Sequence, residues 1–391
     1  MKSIRKIFIY GVTTCLLAAG VSSASAESHL SDRGTTTVVA RGTELSNTET
    51  TSRIHEKDTN EKKQKPGVNT MKPWNVESAD VGGTLIFSDS PEAVGSDGIL
   101  YSDTVQGKAR ILYYHLNNTD TNKKIAVVLE NQSADDTSVV ITRGAMGGPS
   151  DDYLDVGKIT QTKYFGEAKY ERIYIDGHTK RLLQAQMDQT IVKPGQLVYG
   201  VFDFTAKNPV RVTVIMYPAD ADPYLFVDTA KVLPKDSQRL RGTFAGMDRV
   251  IMSEKSYNPE RDGAVYVTIG DNKVDRYRTG IDATDGSIVT NYGNYGVLYS
   301  IHIPTNGREY TSYYLSPRGG VYAGAMTARS GMLGTKNLVL TPSGTTFFGE
   351  KPGCNDMADL GTYSNVKSLW FEYSPPGASN LPVDIILLPA K

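Results

Sequence analysis

Four side chains in the part of the chain that reads as folded have the chemistry to bind a metal or act as nucleophiles: His115, His178, His302 and Cys354. A metal needs ligands that converge, and the sequence signatures of convergence are missing: there is no HExxH, CxxC or His-x-His. His115 alternates onto one face with Ile111 and Tyr113, and His302 onto one face with Leu298 and Ser300. Each therefore reads as a packed or surface histidine. Two acidic loops, Asp220-Ala221-Asp222 and Asp282-Ala283-Thr284-Asp285-Gly286, could offer oxygens to calcium. Neither follows the EF-hand pattern, and Asp-Gly is also ordinary turn chemistry. Asp282 and Asp285 are the calcium candidates. No G-x-S-x-G elbow, P-loop or G-x-G-x-x-G fingerprint is present. Glycoside hydrolysis needs two carboxylates about 5–10 Å apart. Glu254, Glu260, Glu309 and Glu372 are available, but their places in the sequence do not pair them. No catalytic residue is nominated.

Tyrosine is what remains. The chain has 23 Tyr against 10 Phe and 2 Trp, and several sit beside Asn, Ser and Gly. Examples are Tyr113-Tyr114, Asn291-Tyr292-Gly293-Asn294-Tyr295, and Tyr310 with Tyr313-Tyr314. On a half-wet sheet or loop, Tyr offers rigid amphipathic contact area suited to recognition. Its β propensity also lets it simply fill strands. The ligand-binding candidates are Tyr292, Tyr295, Tyr310, Tyr313 and Tyr314. Trp74, Trp370 and Phe371 read as core.

Strands must position these residues. From Trp74 onward, short runs of Val, Ile, Tyr and Phe recur between Gly, Pro, Asn and Asp. Residues 124–130, 211–217 and 264–269 alternate with period two, which gives one buried and one wet face. Strands so spaced, without intervening amphipathic helices, argue for a mainly β fold: two tandem antiparallel β-sandwich-like modules with one or two short helices. One helix is expected over 153–170, with Ser150 as cap and two acids in its first turn. A second is expected over 234–240, capped at Asp236-Ser237. The module boundaries read as 73–235 and 236–391. The run Ile111 to His115 followed by Asn117-Asn118 parallels Val297 to His302 followed by Thr305-Asn306-Gly307, which suggests a repeat.

Lys2, Arg5 and Lys6, an apolar run over 7–21 and Ala24-Ser25-Ala26 form a secretory signal peptide over 1–26, cleaved after Ala26. Ser3-Ile4-Arg5-Lys6 with Gly11 is similar to the YSIRK-type signal of Gram-positive surface proteins, without its first Tyr. Cleavage removes Cys15, so Cys354 is left with no intramolecular partner. Residues 27–72 read as a disordered Thr/Ser-rich spacer. Nine Thr and four Ser over 27–70, with seven acids cancelling seven bases, leave too little apolar surface to offset ordering entropy. Net charge is −1 from 42 basic and 43 acidic residues, so no basic field points to nucleic acid. No later stretch reaches 18 apolar residues, so the processed chain is not expected to span a membrane.

Leu85-Ile86-Phe87-Ser88-Asp89-Ser90-Pro91-Glu92 through Gly98-Ile99-Leu100-Tyr101 resembles a region of secreted Bacillota proteins. Those proteins are labelled "copper amine oxidase domain-containing". Ala145-Met146-Gly147-Gly148-Pro149-Ser150, Leu240-Arg241-Gly242-Thr243-Phe244 and Tyr373-Ser374-Pro375-Pro376-Gly377 carry the same resemblance, which spans roughly 82–391. It implies a shared fold and an extracellular or cell-wall-associated location. The catalytic motif of true copper amine oxidases differs. It is an Asn-Tyr-Asp/Glu whose Tyr becomes the quinone, with copper-binding His-x-His. Here Asn291-Tyr292 is followed by Gly293 and no His-x-His exists, so copper is not expected.

Together these readings describe an exported, envelope-associated and non-catalytic protein. Its expected partner is a cell-wall or extracellular glycan, or another protein, met through Tyr-bearing loops. The alternatives are a carbohydrate-active hydrolase or metal-dependent enzyme on a β scaffold, and a matrix protein that self-assembles through strand edges.

Overall fold

The structure, a computed structural model, describes residues 70–166, 168–331, 334–350 and 355–390. The signal peptide, its cleavage point at Ala26, nearly all of the spacer and Cys354 lie outside the described residues. The fold is mainly β, with three sheets. Among the described residues there are four helical segments, and no helix is long and apolar enough to cross a membrane.

The largest sheet has eleven strands and is built on two long ones, Gly98–Asn117 and Leu197–Pro218, paired antiparallel along most of their length. On its other edge, Leu197–Pro218 pairs with Thr137–Ser150 through residue 206, and with Lys123–Glu130 from residue 211. Asn208-Pro209 falls in the gap between those partners, where the missing proline N–H disrupts no ladder. The other two sheets, of five and six strands, form a sandwich. Val383, Ile385 and Leu387 of one sheet meet Ile301, Phe371 and Tyr373 of the other in one core. That core continues to Leu85, Phe87, Leu112 and Tyr199 of the large sheet, whose opposite face buries Ile86, Ile111 and Phe202 in a second core. Burial on both faces explains why Leu85-Ile86-Phe87 is apolar throughout instead of alternating.

The boundary expected at 235/236 does not separate the sheets. Arg241–Ala245, Arg278–Asp282 and Ser287–Asn291 belong to the large sheet, while Glu77–Val81 and Lys72–Pro73 belong to the sandwich. The two halves therefore exchange strands. The spacer also ends earlier than expected: Met71 is buried beside Ile386 and Leu388. His115 sits in a 20-residue strand and His302 ends a five-residue one, and each of the two strands lies between a parallel and an antiparallel neighbour.

Helix Tyr153–Gly166 forms where expected, but Asp152 caps it, its Oδ1 accepting from the Asp155 N–H at 3.0 Å. No helix forms over 234–240. The Asp236 carboxylate there accepts from Ser90 Oγ and from the N–H groups of Glu92, Gln238 and Arg239. Its bonds to Ser90 and Glu92 hold this segment against the 89–92 loop, so the chain turns instead of continuing a helical ladder.

Arg110 joins these parts. It is 1 % exposed and donates through Nε and Nη2 to the two oxygens of Asp203 at 2.5 and 2.9 Å. Nη1 donates to the carbonyls of Met247 and Gly296, and Asp248 Oδ1 lies 3.0 Å from Nη2. Tyr164 of the helix donates to Asp203 at 3.0 Å. Arg110→Met leaves the Asp203 charge buried without its partner. The expected cost is about 3–5 kcal/mol in urea unfolding, against less than about 0.5 kcal/mol for Tyr310→Ala at the surface.

His115 is fully buried between the Pro91 carbonyl (2.9 Å from Nδ1) and Ser88 Oγ (2.9 Å from Nε2). A carbonyl only accepts, so Nδ1 carries the proton and Nε2 accepts from the Ser88 hydroxyl. Burial pushes the imidazole pKa down to about 4, opposed by the Pro91 hydrogen bond. The folded pKa lies below the unfolded value near 6.5, so this stabilisation is complete above that value. It is lost as pH falls from there toward 4. Unfolding free energy measured over that window should carry a slope of about 1.4 kcal/mol per pH unit that His115→Gln removes. An unchanged slope in the variant would contradict the assignment.

Candidate functional site

A cleft of about 180 Å³ opens where the large sheet meets the sandwich. Its floor is Phe87 and Leu112, both buried, with the Tyr114 ring beside them. Period two explains the split of Tyr113-Tyr114: Tyr113 faces the second core and Tyr114 faces the cleft. Tyr114 packs edge-on against Tyr199, with ring centroids 5.9 Å apart. Gly377 lies so close that a Cβ there would come within 2.8 Å of the Tyr114 ring, so that turn requires glycine.

Tyr295 forms one wall. Its loop is pinned at both ends, Asn291 Oδ1 accepting from the Tyr295 N–H at 2.9 Å while Asn291 Nδ2 donates to the Tyr295 carbonyl at 2.8 Å. The hydroxyl donates to the Ser379 carbonyl at 2.6 Å. Gly293 supplies the positive φ of +89° that the turn needs. The ring is thus held in place before any ligand arrives.

The rim carries the charge. Asp89 follows the strand Thr84–Ser88, and its N–H donates to the Leu240 carbonyl at 2.9 Å. Its side chain is half-buried, and its Oδ1 is sealed from solvent without a hydrogen-bond partner among the described residues. Burial, with Glu92 and Asp236 nearby, holds the Asp89 carboxyl well above the ordinary carboxylate range. Burial and Asp236 raise Glu92 as well. No cation contributes to either shift. The Tyr114 hydroxyl and the Asn380 side-chain amide make no hydrogen bond among the described residues and complete a polar fringe over the aromatic floor. Such a cleft can accept hydroxyl protons, donate a few hydrogen bonds and stack a flat apolar face.

Of the five tyrosines expected to bind, only Tyr295 lines this cleft. Tyr292 is 52 % exposed and stacks edge-on with Tyr277. Tyr310 is exposed on its strand. Tyr313 is a core residue, 3 % exposed and 5.2 Å from the Phe371 ring, because its strand alternates it inward. Tyr314 points the other way and packs against the outer cluster of Met71, Ile386 and Leu388.

Asp282 and Asp285 are both ion-paired within the protein. Arg241 Nε lies 2.9 Å from Asp282 Oδ2, and Lys235 Nζ lies 3.2 Å from Asp282 and 2.7 Å from Asp285. Burial raises the Asp282 carboxyl, but hydrogen bonds from Thr284 and Arg241 outweigh it and hold it low. Lys235 does the same for Asp285. Among the described residues, no three His, Cys, Asp or Glu side chains gather as a metal site. Glu372 is ion-paired to Lys336 at 2.6 Å and Arg143 at 3.6 Å. His302 stacks on Trp370, with centroids 4.4 Å apart.

Sequence reasoning missed Asp89, Glu92 and Asn380 as site residues. The available signal was positional: an acid one residue past an all-apolar strand, where a side chain leaves the sheet at its end. Three of the four segments that carry the resemblance reach or adjoin this cleft: the one holding Phe87, Asp89 and Glu92, the one starting at Leu240, and the one ending at Gly377.

No family model matches the chain, and no curated protein matches it. Among solved structures it is similar to the human CUB1-EGF-CUB2 domain of MASP-1/3. The identity is 10 %, over 81 % of this chain and 99 % of that one, with a TM-score of 0.17. At that score the likeness carries nothing about this chain's function.

Proposed function

We propose that this is an exported, envelope-associated binding protein that recognises a cell-wall or extracellular glycan in the cleft between Tyr114 and Tyr295. The observation that carries the reading is a cleft with an aromatic floor whose rim carries two carboxyls, a free tyrosine hydroxyl and a side-chain amide, with no cation beside the carboxyls. A sugar ring offers both a C–H face for Tyr295 and hydroxyls for Asp89, Glu92 and the Asn380 amide. Tyr295 is fixed by Asn291 and Ser379, so little ordering cost falls on binding.

One observation favours a second reading, a hydrolase. Asp89 and Glu92 both lie on the rim, and Glu92 adds to the upward shift that burial gives Asp89; a raised carboxyl near a second one is the acid–base arrangement of glycoside hydrolysis. Soluble reducing ends released by the full chain, and lost in Asp89→Asn, would establish that reading over simple binding.

The binding test is retention of the full chain on purified cell walls and insoluble glycans. Tyr295→Ala is expected to weaken retention about tenfold, ~1.4 kcal/mol, with the circular dichroism spectrum unchanged. Tyr292→Ala, outside the cleft, should leave it as it was. The reverse pattern would place the ligand on the outer surface and end the assignment to the cleft.

EDTA separates the remaining candidate. Asp282 and Asp285 are already neutralised by Arg241 and Lys235, so retention and melting temperature are expected to be the same with and without chelator. Loss of retention in EDTA would return the 282–285 loop to consideration.

A further inference from the structure

A second pocket, of about 280 Å³, has the opposite character. Lys72, Lys255 and Arg261 line it together with the Asn75 side chain and the Trp74 ring. Its walls are bonded into the fold. Lys72–Pro73 pairs in parallel with Val265 and Tyr266, and the Trp74 N–H donates to the Tyr266 carbonyl at 2.8 Å. The Trp74 ring is nine-tenths buried, meets Tyr257 edge-on at 5.6 Å, and donates through Nε1 to Ser253 Oγ at 3.0 Å. Ser253 also holds the turn to Lys255, donating to its carbonyl at 2.9 Å. Lys255 Nζ then sits over the Trp74 ring, 5.2 Å from its centroid.

Charge in this pocket is unbalanced. The single lining carboxylate, Asp262, is already engaged by Arg261 and by the Asn258 N–H. Lys255 Nζ stays 3.9 Å from it, with its side chain 69 % exposed. Lys72 has no ion-pair partner among the described residues. Arg261 uses Nε and Nη2 on Asp262 and the Ser256 carbonyl, and its Nη1 makes no hydrogen bond among the described residues. Three cations and an amide therefore surround a space closed on one side by an indole. Three cations share the single counter-charge of Asp262, an excess that favours an anionic occupant, and several donors around one volume suit a group with several oxygens.

We infer that this pocket binds a phosphate group, at a site separate from the glycan cleft. The cleft does not suit an anion, because no cation lies beside its rim carboxyls to receive one. The assignment does not depend on the glycan reading.

Trp74 reports on the site directly. In full-chain Trp370→Phe it is the sole tryptophan, since the chain has two. Its emission is to be followed while inorganic phosphate, long-chain polyphosphate, dextran sulfate and neutral dextran are added in turn. Saturable change with phosphate or polyphosphate is expected, with at least a tenfold loss of affinity in Lys255→Gln/Arg261→Gln. Affinity should also fall steeply with added salt, as expected where cations bind a polyanion. Response to polyphosphate alone assigns the site to a phosphate-bearing chain, and equal response to inorganic phosphate assigns it to a single group. No response to either, an equal response to dextran sulfate, or a response that survives the double variant would overturn the inference. Adding Tyr295→Ala to the same background should leave the titration unchanged, which keeps failure of this site distinct from failure of the cleft.

Discussion

The ion pair of Arg110 with Asp203 is the constraint on which the architecture turns. An arginine this deeply buried is stable only if its donors are matched. Here Asp203, Met247 and Gly296 accept four hydrogen bonds, and Asp248 adds a second carboxylate. The partners come from the long strand Leu197–Pro218, the start of the sandwich and the loop that carries Tyr295. Tyr164 brings the helix to the same carboxylate. The Gly296 carbonyl is one residue from Tyr295, so the pair that fastens the sheets also sets the height of the cleft wall. Fold stability and site geometry are therefore coupled through one guanidinium.

Two further buried arginines repeat the device. Arg241 binds Asp282 and the carbonyls of Ser90, Leu100 and Leu233, tying the strand after the expected boundary to chain before it. Arg249 binds Asp80 and Asp275, joining Glu77–Val81 to the loop after Val265–Ile269. Each spans strands far apart in sequence. Buried charges of this kind add less net stability than their geometry suggests, because desolvation opposes them. Their effect is on register: a guanidinium whose acceptors come from several strands fits only one arrangement of those strands.

How far the sequence could be read follows from the range of each interaction. Alternation within 264–269 named its buried face, because the period belongs to a single strand: Val265, Val267 and Ile269 are all inside. The 22-residue strand Leu197–Pro218 runs through Asn208-Pro209. Only the gap between two neighbouring strands permits this, and that gap is invisible locally. The acidic loop at 282–285 is likewise legible as acidic and illegible as neutralised, since Arg241 lies 41 residues away. Tyrosine was ambiguous for the same reason. Tyr313 and Tyr314 are identical in composition and adjacent in sequence, yet one fills the core and the other lies on the outer face. Asp89 was missed because an acid after a strand is ordinary, and becomes unusual only when Leu240 and Tyr295 close around it.

The two pockets also constrain what one ligand can be. Carboxyls raised by burial and by neighbouring acids, with no cation beside them, offer an anion no counter-charge and suit the cleft to neutral hydroxyl groups. The pocket at Trp74 has the inverse preference, with exposed ammonium groups whose attraction is long-ranged and screened by salt. Hydrogen bonds made inside the cleft act at contact and respond little to ionic strength. A ligand that engaged both would show a salt-sensitive encounter followed by a salt-insensitive lifetime, because steering acts on association and close contacts act on dissociation. The charge arrangement thus separates how a partner is gathered from how it is kept, and both halves of that division rest on strands the buried arginines hold in register.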